Sequence, residues 1–153
     1  MAHIQDIPQG TRDAILALEI ATPTPKPFVS GPPLSERRVA IVSSAALHAK
    51  DEPPFLFGSP EFRELKASLP VADIRMSHVS INYDRQGFQR DINVAYPIER
   101  LKELAAEGIV GAVSDTHYAV MGSTDPKTMS ETVEALLARF RRDRIDAVLF
   151  SPV

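Results

Sequence analysis

The sequence contains no cysteine. This excludes disulfides, thiolate zinc sites and any thiol nucleophile within these residues, so redox chemistry would need a group from outside them. No apolar run approaches the roughly 20 residues that span a bilayer. The N-terminus MAHIQDIPQG also lacks the basic-then-apolar plan of a signal peptide. The expected location is the cytoplasm, with no membrane partner. Positive charge is scarce as well. Lys and Arg number 17 against 20 Asp and Glu, and the net charge of -3 argues against nucleic-acid binding, which needs a basic surface. Neither G-x-G-x-x-G, G-x-x-x-x-G-K-[ST] nor G-x-S-x-G occurs, so dinucleotide binding, a P-loop and a hydrolase elbow have no support.

What is present suits an ordinary globular domain: 44% apolar and 24% charged residues in a chain of 153, long enough for one core. Residues 11–20 read as a short helix with Thr11 as N-cap and Ile15, Leu16 and Ile20 as apolar contacts. Residues 22–33 carry five prolines and read as an extended tether. Residues 1–36 are therefore an N-terminal arm and residues 37–153 an α/β domain. The run Val39, Ala40, Ile41, Val42 is the first buried strand. Ser59-Pro60-Glu61 has the signature of a helix start, carrying Phe62 and Leu65. Residues 73–78 suggest a second strand. Tyr96-Pro97 opens a helix with Ile98, Leu101, Leu104 and Ala105 on one face and Gly108 as terminator. Asp125-Pro126 starts another, in which Met129, Val133, Leu136, Leu137 and Phe140 recur at helical spacing as core residues.

Residues 147–150 read as a further interior parallel strand, and ligands in open α/β sheets gather beyond the carboxyl ends of such strands. The expected architecture is a three-layer α/β fold, Rossmann-like or flavodoxin-like with a parallel sheet, continuing past Val153 as part of a larger fold.

His48, His78 and His117 follow or end candidate strands, so one edge of the fold would gather them. An unperturbed pKa of about 6.5 suits histidine to acid–base work at neutral pH. A structural role for each histidine stands beside that reading. No short ligand pair such as H-x-x-x-H anchors a metal, and none is expected. The segment 82–93 mixes polar groups with large apolar anchors and suits an ordered functional loop. In it Asp84, Asp91 and Asn93 either bind an amino-acid-like substrate or cap the next helix. A second loop, residues 115–123, puts His117-Tyr118 just before Met121-Gly122. Arg139, Arg141, Arg142 and Arg144 crowd a helix end, where cations complement the helix dipole or would form a phosphate patch.

At these loops the chain resembles the selenoprotein B family, the catalytic subunits of glycine, betaine, sarcosine and D-proline reductases. The matching stretches are Ser77-His78, Asn82-Tyr83-Asp84, residues 89–94, 96–101 and 107–111, His117-Tyr118, Met121-Gly122 and residues 146–149. The resemblance implies a redox selenocysteine or cysteine just after the strand that ends with Phe150-Ser151-Pro152-Val153. It also implies a partner subunit whose pyruvoyl group holds the substrate amine as an imine, no cofactor bound by this chain, an external thiol reductant and an oligomeric complex. A selenolate would then attack the α-carbon and cleave its C–N bond. On this basis His78 and His117 are proton donors or selenolate stabilisers with Tyr118 beside them, and Asp84, Asp91 and Asn93 orient a small amine or amino acid. A UGA codon after Val153, read as stop, would account for the chain's end. The alternatives are a His/Asp-dependent racemase, isomerase or metal-assisted hydrolase on a similar scaffold, and a non-catalytic subunit.

Overall fold

The computed structural model describes residues 3–17, 28–80 and 85–153. In chain order they form α1 (Gln9–Leu16), β1 (Arg38–Ser43), β2 (Leu47–Ala49), β3 (Phe62–Lys66), β4 (Ile74–Met76), α2 (Arg85–Arg90), α3 (Ile98–Ala106), β5 (Ala112–Val113), β6 (Thr116–Val120), α4 (Ser130–Arg142) and β7 (Ala147–Ser151). The chain divides after Ser30. The first unit holds α1, which begins after Pro8 rather than at Thr11 and leaves Ile15 and Leu16 exposed. Ile20, and the tether prolines before Phe28, lie outside the described residues.

The second unit, residues 31–153, is a mixed α/β fold. A strand of Val39, Ala40, Ile41 and Val42 has no polar side chain to offer water, so both its faces must be covered, and all four residues are buried. Each such burial removes apolar surface worth about 1.5–3 kcal/mol for a large aliphatic side chain. β1 pairs in parallel with the whole of β7, from Val39–Ala147 to Ser43–Ser151. On its other side it pairs with β5 at Arg38 and Val39, then with β6 at Val42 and Ser43, both parallel. β3 closes the far side antiparallel to β6.

Alternation along the strands sorts side chains into two layers. Val39, Ile41, Leu65 and Ala119 pack with Tyr96, Ile98 and Leu101 at the start of α3. Ala40, Val42 and Tyr118 face the other way, onto Leu136, with Phe62 and Phe140 alongside. The sheet is thus sandwiched between α3 and α4. Gly108, with φ of 73°, ends the turn after α3 in the left-handed region that a side chain would strain.

Several elements differ from what local signals suggest. Residues 62–66 are a strand, not a helix. Phe62 and Leu65, which would share a helical face, lie on opposite faces of a strand and are covered by opposite layers. The carbonyls of Ser59 and Pro60, which a helix would use, accept the hydroxyls of Thr124 and Thr132 instead. β4 is antiparallel to β2 in a separate two-stranded ribbon, not a member of the main sheet. In α4 only Leu136 is buried; Phe140 packs beside it, Val133 and Leu137 are exposed, and Met129 sits at the N-cap. β7 is an edge among the described residues, paired only with β1, and Phe150 is 70% exposed. No helix among the described residues is long and apolar enough to cross a membrane.

Candidate functional site

Three chain segments converge at the carboxyl end of β1. Ser43, fully buried, donates its hydroxyl to the Ala95 carbonyl at 2.8 Å and so ties the turn before α3 to the strand end. Ser44 continues the ladder by donating N–H to the Ser151 carbonyl at 3.1 Å. Its hydroxyl accepts the Val153 N–H at 2.8 Å, fixing the backbone that follows β7. Its carbonyl accepts the Gly122 N–H at 2.9 Å.

Gly122 is where these backbones come closest. A Cβ there would lie 2.8 Å from the Ser44 carbonyl oxygen and 3.2 Å from His78 Nε2. Only glycine fits so near an acceptor and an imidazole. A small recess of about 160 Å³ lies beside it, lined by Val42, Ser44, Val120, Phe150, Ser151 and Pro152.

His78 is carried to this edge by the chain leaving β4, because Ser77 N–H bonds the Ala46 carbonyl at 3.0 Å. It is buried, and Nδ1 accepts the Ser80 N–H at 3.3 Å, which assigns the ring proton to Nε2 in the neutral form. Burial, and then the Arg85 guanidinium, hold its pKa below the ordinary histidine value. Arg85 also donates to the His78 carbonyl.

The other histidines stand elsewhere. His48 donates from Nδ1 to the Ala49 carbonyl at 2.8 Å, so its Nε2 accepts the Ser77 hydroxyl at 2.7 Å, and both ring nitrogens are satisfied. His117 and Tyr118 lie within β6, not in a loop. His117 replaces a missing ladder acceptor, its Nδ1 taking the Ile41 N–H at 2.9 Å. Its ring meets Tyr96 edge-on with centroids 5.6 Å apart. Burial, followed by the Lys102 charge and opposed by Asp115, pushes its pKa down to about 4. The ring is therefore neutral at pH 7. Gly122 lies five residues on, about 16 Å at roughly 3.3 Å per residue, so His117 sits in the body of the sheet and His78 at its edge.

Tyr118 projects to the opposite face from His117. Its hydroxyl donates to Asp143 at 3.1 Å, and its ring packs edge-on against Phe62 and Phe140. Asp91 accepts the backbone and side-chain N–H of Asn93 at 2.9 and 2.8 Å, bonds that hold its pKa below the carboxylate norm. Asn93 in turn accepts the Glu99 N–H at 3.1 Å and donates to the Glu99 carboxylate at 2.9 Å, capping α3. Asp84 lies outside the described residues. Among those described, no three His, Asp or Glu side chains are grouped to hold a metal ion.

The edge thus assembles His78 with Ser44, Gly122 and the backbone of Val153. Ser44 and Arg85 were not singled out from the sequence. The available signal for Ser44 was a hydroxyl residue directly beyond a buried parallel strand, the position where open sheets place their sites.

Residues 25–152 match the family described as glycine/sarcosine/betaine reductase selenoprotein B. The chain is 33% identical over 142 residues to the D-proline reductase subunit gamma of Acetoanaerobium sticklandii, covering 89% of this chain and 58% of the relative. It is 26% identical over 123 residues to the glycine reductase complex component B subunit gamma of Carboxydothermus hydrogenoformans, covering 77% of this chain and 28% of the relative. It therefore spans little more than half the length of one curated relative and less than a third of the other. No solved structure gives a significant match. The chain belongs to the glycine/sarcosine/betaine reductase selenoprotein B family.

Proposed function

We propose that this chain forms part of a reductase subunit that cleaves the C–N bond of a small amine or amino acid, of the D-proline, glycine, betaine or sarcosine type. The observation that carries the reading is the meeting of His78, the backbone of Ser44 and Gly122, and Val153 at the carboxyl edge of a parallel sheet, in a chain of this family. The redox selenocysteine or cysteine belongs directly after Val153, where Ser44 fixes the backbone.

In the overall reaction a C–N bond breaks and a C–H bond forms. Two electrons come from an external dithiol, which becomes a disulfide, and the departing nitrogen takes a proton. A pyruvoyl group on a partner subunit would supply the electrophilic carbonyl that activates the substrate amine. The part of this chain is to hold charge and protons at the edge. Neutral His78, with its proton on Nε2, donates a hydrogen bond to an anionic selenolate or thiolate beside Gly122. The same anion raises the ring's proton affinity, so that it can carry the proton to the leaving nitrogen. We assign His117 a positioning role, holding β1 against β6, and Asp91 and Asn93 a role in holding the loop that precedes α3.

Two experiments test this. The nucleotide sequence beyond the Val153 codon should show UGA or a cysteine codon followed by an in-frame continuation of the fold; TAA or TAG overturns the assignment of the redox residue. The continued protein, assembled with its pyruvoyl-bearing partner and supplied with dithiol, should consume one of the four amines with one dithiol oxidised per C–N bond. Consumption of none of them contradicts the reading.

A further inference from the structure

The arginines after α4 are not one group. Arg139 donates to Glu64 at 2.7 Å, and Arg142 grips Asp143 through Nε and Nη2 at 2.6 and 2.9 Å. Arg144 is different. It lies just past the helix end with φ of 52°, and its guanidinium makes no hydrogen bond or ion pair among the described residues. The same holds for the guanidinium of Arg38, half-buried at the start of β1, whose backbone alone pairs with Asp146.

Both arginines line a cavity of about 510 Å³ at the amino end of the sheet, opposite the His78 edge. Lys66, Asp115 and the buried hydroxyls of Ser114 and Thr116 complete its polar wall, with the paired Glu64, Arg142 and Asp143. Four cations there face three carboxylates, in a chain whose net charge is -3. Two of those carboxylates are already engaged, Glu64 by Arg139 from outside the lining and by Lys66 at 3.8 Å, and Asp143 by Arg142 and Tyr118, which leaves Arg38 and Arg144 as the lining cations without an ion pair among the described residues. The volume falls in the usual range for small-molecule sites, roughly 300–1,000 Å³, and exceeds the needs of a single simple ion.

We propose that this cavity binds a small organic polyanion, with Arg38 and Arg144 taking its phosphate or carboxylate oxygens. Planar guanidinium forks suit both oxyanions. Lys66 adds positive charge while held to the Thr116 hydroxyl at 2.9 Å. Asp115, whose carboxylate has no partner among the described residues, accepts a hydroxyl or amino group of the same ligand.

Calorimetric titration of the 153-residue chain with pyrophosphate and, separately, with citrate tests the site. One-to-one binding of at least one probe is expected, weakened about tenfold by Arg38→Gln or Arg144→Gln and about a hundredfold by both together. The tighter probe identifies phosphate or carboxylate as the group recognised. Arg141→Gln, outside the cavity, should leave the affinity unchanged. Arg144 is exposed, so its variant alone keeps the test open should Arg38→Gln not fold. Failure of both probes to bind, an affinity unaltered in Arg144→Gln, or equal weakening by Arg141→Gln overturns the proposal.

Discussion

The two ends of the parallel sheet are built from the same strands and have opposite chemistry. At the carboxyl ends of β1 and β6 the groups nearest Gly122 are uncharged and buried or half-buried, namely Ser43, Ser44, His78 and the backbone, with the exposed guanidinium of Arg85 against the His78 carbonyl. At the amino ends Arg38, Lys66, Asp115 and Arg144 ring an open, charged cavity. The difference lies in access to water. Charges that keep solvent are cheap to place and interact weakly, whereas a ring stripped of water has its proton affinity set by its few neighbours. On the proposed reading, proton chemistry falls to the His78 end and recognition of charge to the other.

The largest test of this contrast concerns the buried middle. His117 stays neutral in the fold but takes a proton near pH 6.5 once unfolded, so the stability tied to it is complete above about pH 6.5 and is lost as pH falls toward 4. The loss reaches about 3 kcal/mol at the acid limit, with a slope near 1.4 kcal/mol per pH unit. Burial of His78 contributes in the same direction. Urea unfolding at pH 7 and pH 5 measures the slope, and His117→Asn, which keeps an acceptor for the Ile41 N–H, should flatten most of it. An equally steep slope in that variant would place the acid sensitivity elsewhere.

At the carboxyl end, Gly122→Ala introduces a methyl 2.8 Å from the Ser44 carbonyl oxygen and should cost about 1–3 kcal/mol of stability, read as a lowered denaturant midpoint at unchanged m. A neutral result would mean that the edge is looser than its contacts imply. Toward the amino end, Tyr118→Phe removes one hydrogen bond to Asp143, which keeps its Arg142 partner, and should cost about 1 kcal/mol. Smaller still is Arg139→Gln. Its partly exposed pair with Glu64 contributes less than about 1 kcal/mol, and the loss should vanish in high salt. A larger, salt-insensitive loss would show that this end is less solvated than described above.

How legible all this was depended on whether the signal was local. β1 and α3 announce themselves because a doubly covered strand must be continuously apolar and a half-covered helix must repeat its apolar face, whereas the equally apolar run of β7 reads correctly as a strand but forms an edge, with Leu149 and Phe150 exposed. β3 did not, since Ser59-Pro60-Glu61 is a genuine helix-start signal overridden by pairing with β6 and by Thr124 and Thr132 taking the carbonyls. The candidate site was half legible. His78 and Gly122 stood out as chemistry-bearing residues near strand ends. Their meeting at Ser44 depends on residues far apart in sequence, which no periodicity records. His117-Tyr118 read as a pair because they are adjacent, yet strand geometry sends neighbours to opposite faces. Asp91 and Asn93 carried two readings, and their bonds to each other and to Glu99 are those of a cap.

The central claim is that His78, at the carboxyl edge, is the group that handles the proton. Its most direct test is His78→Ala in the continued protein, assembled with its partner and dithiol, with turnover of the accepted amine measured against pH. A fall of about a hundredfold or more is predicted, with loss of the limb of the pH profile that reports the ring, while far-UV circular dichroism stays native. Unchanged turnover and an unchanged pH profile would contradict it.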